Sequence, residues 1–517
     1  MNIKRAKQEI KNTIQVYLTK NAHGEYEIPS MRQRPVLLIG PPGIGKTQIM
    51  EQVARECGIG LVSYTITHHT RQSAIGLPFI SEKTYGGKNV HVTEYTMSEI
   101  VAAIYNKIED TGLSEGLLFI DEINCVSETL APAMLQFLQY KTFGNHKIPD
   151  GWIIVAAGNP PEYNKSVREF DVVTLDRIKR IDVQPDFEVW KEYAYEQGIH
   201  PAVISYLELR RKNFYRMENT VDGRIFATAR GWEDLSRLIQ VYETLDKEVD
   251  REVVYQYIQH PIVAKDFASY LALYNKYKTD YAVEDLLQGK WTPITLGKIR
   301  NASLDEHLSI VGLLNGKLSQ LFADCYFMDA YVTKLYGYMT EYRDNLPEMT
   351  LEYIYKNAEN DFQTAKKSEL LTKNAEKVFI RTVDFLEKLW IELRGETGSE
   401  DKTVDNKAVE ISEKDTYEQA KTAFAEVADS LETQIEYTSQ TLQNVFDFME
   451  AAFGDSQEMV AFITELNANY YSLWFIRENG SDQYYRHNKG LLFDDRQKLI
   501  LGQMEELENT MKRGLKN

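Results

Sequence analysis

The chain has 517 residues, 43% hydrophobic and 26% charged, and a net charge of −18. That length exceeds one compact domain and predicts about two to four, and the acidic balance argues against a general binder of nucleic-acid phosphates. Three widely spaced cysteines, Cys57, Cys125 and Cys325, suggest neither a disulfide framework nor a zinc cluster and fit a reducing, cytoplasmic setting.

The polar stretch from Met1 to Lys11 lacks the apolar core of a signal peptide, and no apolar run is long enough to span a membrane. Ile10, Ile14 and Leu18 give residues 4–20 one buried helical stripe. After a connector over 24–34, Arg34 to Gly40 reads as a buried strand. It runs straight into Pro41-Pro42-Gly43-Ile44-Gly45-Lys46-Thr47 and then a helix through Glu56. From Gly40 to Thr47 the loop fits G-x-x-x-x-G-K-[ST], the phosphate-binding pattern. Its glycines let backbone N–H groups turn toward phosphate oxygens. Lys46 reaches the terminal phosphates of a bound nucleotide, and the Thr47 hydroxyl is a ligand for Mg²⁺. The following helix aims its positive end at the same anion.

Residues 61–67 alternate and predict a second core strand, and 79–95 a hairpin turning at Gly86-Gly87. A helix is expected over 98–109. Leu117-Leu118-Phe119-Ile120 then delivers Asp121 and Glu122 to the carboxyl edge of a sheet, where open α/β folds hold ligands. Asp121 suits Mg²⁺, and Glu122 suits polarising the attacking water. A helix over 127–139 tolerates Pro132 in its early turns, and a second hairpin is expected around Gly144-Asn145. Trp152 to Ala157 is another buried strand, ending in Gly158-Asn159-Pro160, and the Asn159 amide is placed to hold water or sense a γ-phosphate. Arg177 and Arg180 precede or open the last strand, which ends in Ile181-Asp182-Val183, and either could neutralise charge on a phosphate. The pair His68-His69 lacks flanking ligands, and adjacent side chains do not share a face, so no metal site is expected there.

From Asp186 to about Lys278 the pattern reads as helices, with Arg230 preceding Trp232, Leu235 and Leu238 at helical spacing. Residues 301–394 are helical, broken at Pro347. The acid-rich stretch 395–415 reads as a flexible connection. A capping box at Thr416 to Gln419 opens a long helix, whose stripe runs Phe424, Val427, Leu431, Ile435, Leu442, Val445, Met449. It is interrupted at Gln434 and Thr438. A helical bundle or an intermolecular coiled coil would bury it. Tyr470, Tyr471, Trp474, Tyr484 and Tyr485 form an aromatic-rich segment that fits a core or a partner face.

GPPGIGKT, LLFIDEIN, VAAGNPPEYN, LDRI and ATARGWEDLSRL, in that order, resemble the MoxR group of AAA+ ATPases over about residues 4–290. The resemblance implies an α/β P-loop NTPase core, a parallel sheet flanked by helices, with a helical lid and then an all-α C-terminal region. The division expected is 1–183 core, 184–295 lid, 296–394 helical, 395–415 acidic connection and 416–517 helical. It makes Asn159 the sensor-1 residue, Arg177 the arginine finger acting on a neighbouring subunit's ATP, and Arg230 the sensor-2 arginine. The hairpins match the helix-2 and pre-sensor-1 inserts of this clade. Where the family often reads DEINR, Cys125 stands in place of the arginine. The activity implied is a Mg²⁺-dependent ATPase assembling into a ring, expected to be a hexamer. It would remodel or activate protein clients with a von Willebrand factor A domain partner. A nucleic-acid-directed motor like the GTP-using restriction subunits of the clade, and a slow nucleotide-gated scaffold, are the alternatives.

Overall fold

The computed structural model describes residues 1–68, 76–143, 146–163, 167, 170–221, 223–367, 369, 371–395 and 413–489. The chain divides into two compact units. The first comprises Met1–Val189, Thr228–Arg230 and Lys356–Ile380, and the second Trp190–Ala227, Gly231–Tyr355 and Arg381–Asn517.

In the first unit, α1 (Ile3–Leu18) is followed by β1 (Val36–Ile39), α2 (Lys46–Cys57) and β2 (Gly60–Thr65). Next come the hairpin β3 (Pro78–Tyr85) and β4 (Lys88–Tyr95), then α3 (Glu99–Thr111), β5 (Gly116–Asp121) and α4 (Ala131–Tyr140). The short pair β6 (Thr142–Phe143) and β7 (His146–Lys147), β8 (Trp152–Gly158), α5 (Val172–Leu175) and β9 (Lys179–Asp182) complete it. Strands β2-β5-β8-β1-β9 form one sheet in that order, every pair parallel. The unbroken apolar runs of β5 and β8 are what a strand covered on both faces requires, and Leu117 to Ile120 and Trp152 to Ala157 are all buried. On one face, Ile100 and Ile104 of α3 and Met134 and Phe137 of α4 join Leu118, Ile120 and Ile154 in one core. Helices α1 and α2 pack together, and Glu56 takes Lys7 at 2.5 Å and Lys11 at 2.7 Å.

Local chemistry sets the element ends. Ser98 caps α3, its hydroxyl accepting from the Val101 N–H at 3.2 Å. The hairpin turns at Gly86 and Gly87 with φ of 57° and 80°, the double positive φ of a tight two-residue loop. The helix expected from Ser127 begins instead at Ala131, because Pro132 lies in its first turn, where a missing N–H costs nothing. Gly144 and Asn145, the expected second turn, lie outside the described residues.

Helix α6 (Phe187–Glu196) leads into the second unit. There α7 (Pro201–Leu209) is followed by β10 (Arg216–Thr220), β11 (Gly223–Ala227) and α8 (Ala229–Thr244). The all-helical expectation for 186–278 is corrected here. Arg216 to Ala227 is an antiparallel hairpin, pairing Met217 with Phe226 and Glu218 with Ile225, and alternation over five residues is too short to stand out beside long helices. In chain order there follow α9 (Arg251–Tyr257), α10 (Pro261–Asp280), α11 (Val283–Leu287), α12 (Pro293–Arg300), α13 (Leu304–Asp344), α14 (Leu351–Lys367), α15 (Lys373–Gly395), α16 (Glu413–Phe453), α17 (Gln457–Ala468) and α18 (Tyr470–Asn479), of which Lys356–Ile380, in α14 and α15, belongs to the first unit.

Helices α13 and α16 have 41 residues each, about 60 Å of helix, and pack on one another. Gly312 and Gly316 let α13 approach α7, since a Cβ at either would come within 2.7 Å or 2.5 Å of Ser205 or Pro201. Leu442, Val445 and Met449 are buried, as in a bundle, whereas Phe424, Val427, Leu431 and Ile435 are only half-buried. Thr438 is buried with its hydroxyl 3.3 Å from Cys325 Sγ, so a polar break in the stripe is satisfied within the chain. The expected capping box at Thr416 is overturned, because α16 starts three residues earlier at Glu413. Most of the acidic connection, 396–412, lies outside the described residues. Tyr326 gathers Tyr470, Tyr471 and Trp474 at ring distances of 5.7, 5.3 and 5.1 Å, a cluster in which Tyr471 is buried, Trp474 half-buried and Tyr470 exposed.

Candidate functional site

The phosphate-loop glycines are where the backbone demands them. Gly43 and Gly45 have φ of 75° and 88°, conformations costly for any side chain. A Cβ on Gly40 would sit 2.8 Å from the Val183 carbonyl. Helix α2 starts directly behind Gly45, so its first N–H groups, unpaired within the helix, open onto the loop.

The buried Lys46 ammonium donates to the carbonyls of Gly40 and Pro41, each at 2.8 Å, and to Asn159 Oδ1 at 2.9 Å. Burial pushes its pKa down to about 8, opposed by Asp121 and Glu122 and aided by Arg230. The Thr47 hydroxyl donates to Asp121 Oδ2 at 2.9 Å, and Asp121 Oδ1 accepts the Glu122 N–H at 2.9 Å. A hydroxyl and a carboxylate oxygen this close form a donor pair that fits Mg²⁺, which takes few protein ligands and leaves the rest to water and phosphate. Among the described residues no group of three or more His, Cys, Asp or Glu is arranged to hold a metal. Glu122 has a φ of 57°, a strained backbone of the kind that clusters at functional sites, and its Oε2 accepts from Thr67 Oγ1 at 3.1 Å. Arg230 donates its backbone N–H to the Gly43 carbonyl at 3.3 Å, and its side chain is exposed. Cys125 is half-buried, and burial pushes its thiol pKa up.

Lys46, Thr47, Asp121, Glu122, Asn159 and Arg230 are thus brought together at the carboxyl end of the sheet. Arg177 and Arg180 are not. Lys179 pairs with Val36, at the start of β1, whereas the phosphate loop follows the end of β1. Four residues of parallel strand separate those levels by about 13 Å. Arg177 is exposed, and its guanidinium donates to the neutral Gln139 amide. Arg180 is tied to the Asp182 carboxylate at 2.8 Å. The sequence reading missed Thr67 and Asn124 as neighbours of these groups. Thr67 follows β2 on a short turn, Ile66–His68, and only the β2–β5 pairing, which sets Thr65 beside Asp121, brings it to Glu122. His69 and the side chain of His68 lie outside the described residues.

Residues 36–175 match the family model described as "ATPase family associated with various cellular activities (AAA)", so this span carries an AAA ATPase domain. The match runs from β1 through α5 and includes the phosphate loop, Asp121, Glu122 and Asn159, but neither Arg177 nor Arg230. Two point mutants of RuvB from Thermotoga maritima are similar solved structures. One is 14% identical, over 50% of this chain and 69% of that one, with a TM-score of 0.27, and the other 15% identical, over 49% and 69%, with a TM-score of 0.28. No curated protein matches the chain.

Proposed function

We propose that this AAA domain is the motor of a Mg²⁺-dependent ATPase of the MoxR type. In this reading it assembles as a ring, a hexamer, and remodels or activates protein clients with a von Willebrand factor A domain partner. The observation that carries the ATPase reading is the meeting of Lys46, the Thr47–Asp121 oxygen pair, Glu122 and Asn159 at one end of the sheet. The ring, the clients and the partner rest on the resemblance of the motifs.

In this reading the N–H groups of residues 43–47 and the Lys46 ammonium bind the β- and γ-phosphates of ATP. Mg²⁺, held through Thr47 and Asp121, would neutralise phosphate charge there. Glu122 orients the attacking water and accepts its proton. Lys46 turns to the phosphates, which releases the Asn159 side chain to the same water. Arg230 lies against the phosphate loop and adds positive charge, and Arg177 is supplied by a neighbouring copy.

Glu122→Gln tests this directly. ATP binding should persist, because every phosphate ligand remains, while turnover falls about 100-fold to 10⁴-fold with loss of the base. Lys46→Ala should weaken binding itself. Hydrolysis by Glu122→Gln at the wild-type rate would remove the assignment.

A further inference from the structure

Asn124 stands between the two groups placed to act on the attacking water. It lies on the turn Ile123–Cys125, two residues past Glu122, and is 4% exposed. Its Nδ2 donates to the backbone carbonyl of Asn159 at 2.7 Å. Asn159 in turn receives Lys46 on its Oδ1 at 2.9 Å. One hydrogen-bonded path therefore joins the turn carrying Glu122 to the phosphate-loop lysine.

Asn159 needs such an anchor. The last backbone bond between β1 and β8 is Gly40 N–H to the Gly158 carbonyl, at 3.3 Å. The next two residues, Pro160 and Pro161, have no N–H to offer a neighbour. The amide's direction is fixed as well, because only its NH₂ can face a carbonyl oxygen. Its other end, Oδ1, is buried with no hydrogen-bond partner among the described residues. Leaving a buried acceptor unpaired is unfavourable, so filling space is a task an apolar side chain would do better. Gly158 makes the room: a Cβ there would lie 2.5 Å from Asn124 Oδ1.

We propose that Asn124 is a positioning residue, whose amide pins the Asn159 carbonyl to the Glu122 turn so that the Asn159 side chain swings from a fixed pivot between Lys46 and the attacking water. This rests on the ATPase reading of Glu122 and Asn159. Asn124→Asp keeps the shape and removes the donor, setting a carboxylate oxygen against a carbonyl. It should lower kcat about 10-fold to 100-fold, the scale of a small misplacement at a reacting centre. ADP affinity should stay near wild type, while the thermal midpoint should fall, because a buried carboxylate set against a carbonyl costs stability. In an Asn159→Ala background the same change should cost little more, because there is no side chain left to aim. Equal losses in affinity and kcat, or full additivity with Asn159→Ala, would mean a structural role only. If Asn124→Asp does not fold, Asn124→Ala carries the same comparisons. A second readout needs no turnover. Acylation of Lys46, followed by peptide mass spectrometry, should rise severalfold in the variant as Asn159 Oδ1 moves off the ammonium. Unchanged Lys46 labelling would overturn the positioning role. An inactive wild type with raised labelling in the variant would overturn only the ATPase reading.

Discussion

Burial is the largest influence on Lys46 and pulls its pKa from the ordinary 10.5 to about 8. The sign of the consequence differs for folding and for binding. Between pH 8 and 10.5 the unfolded chain holds a proton that the folded chain has lost, so raising the pH through that window favours the fold as far as this group is concerned. Phosphate, by contrast, is drawn to the ammonium form. ADP affinity should therefore be level below pH 8 and weaken above it, by up to about tenfold per pH unit. Calorimetric titration with ADP from pH 6.5 to 9.5 measures this, and Lys46→Met should bind weakly with no such bend. A wild-type affinity that is flat across the range would show that Lys46 does not meet the phosphates. Lys141 offers a built-in contrast. Burial also lowers it to about 8, but its ammonium reaches Gln33 at 3.0 Å and the carbonyl of Trp152, at the start of β8, away from the phosphate loop. Its titration should influence stability and leave ADP binding alone.

The elements divide by how local their causes are. Strand β5 and its two acids, β8 and its Asn159, and the phosphate loop were legible because each is a contiguous string whose apolar run, turn and polar end follow one another in the chain. The β3–β4 hairpin was legible from Gly86-Gly87 followed by Val90, Val92 and Tyr95. The β10–β11 hairpin was not, since five alternating residues between helices carry little periodicity. Neither the Thr67–Glu122 nor the Asn124–Asn159 contact was legible, because sheet order makes those neighbours and residue spacing does not. The glycines of the sheet show the same dependence. Trp152 is fully buried at the start of β8 and its ring lies over β5 and β2. A Cβ on Gly116 would come within 2.5 Å of that ring, and one on Gly60 within 3.2 Å. Gly→Ala by itself favours the fold by about 0.4–1 kcal/mol through the unfolded chain, and overpacking a core costs about 1–3 kcal/mol. Gly116→Ala, facing a rigid and enclosed ring, should therefore be net destabilising, and Gly60→Ala much closer to neutral. Urea unfolding of the two variants checks the order, and equal midpoints would mean that Trp152 has room to move.

At the scale of the whole molecule, one sheet presents two separate chemical edges. The phosphate loop leaves the carboxyl end of β1, and Arg177 lies before the start of β9, at the level where β1 begins. A single side chain does not span that distance to its own loop, so the role proposed for Arg177 requires a contact between copies. Arg177 suits that task better than Arg180, because a Gln139 amide is a weaker competitor for a guanidinium than the Asp182 carboxylate. Arg177→Ala should therefore bind ATP in its own intact loop and hydrolyse it about 10³-fold more slowly or worse. Lys46→Ala should fail for the opposite reason, with its arginine intact and its loop disabled. When the two variants are mixed, an intact loop in one subunit can meet an intact arginine in its neighbour, and part of the turnover should return. Native mass spectrometry of the mixture must first show that mixed assemblies have formed. If they have and turnover stays at the level of the separate variants, Arg177 does not act in trans as proposed. If Arg177→Ala alone keeps full activity, the role passes to Arg180, and the same mixing with Arg180→Ala decides whether that arginine reaches across.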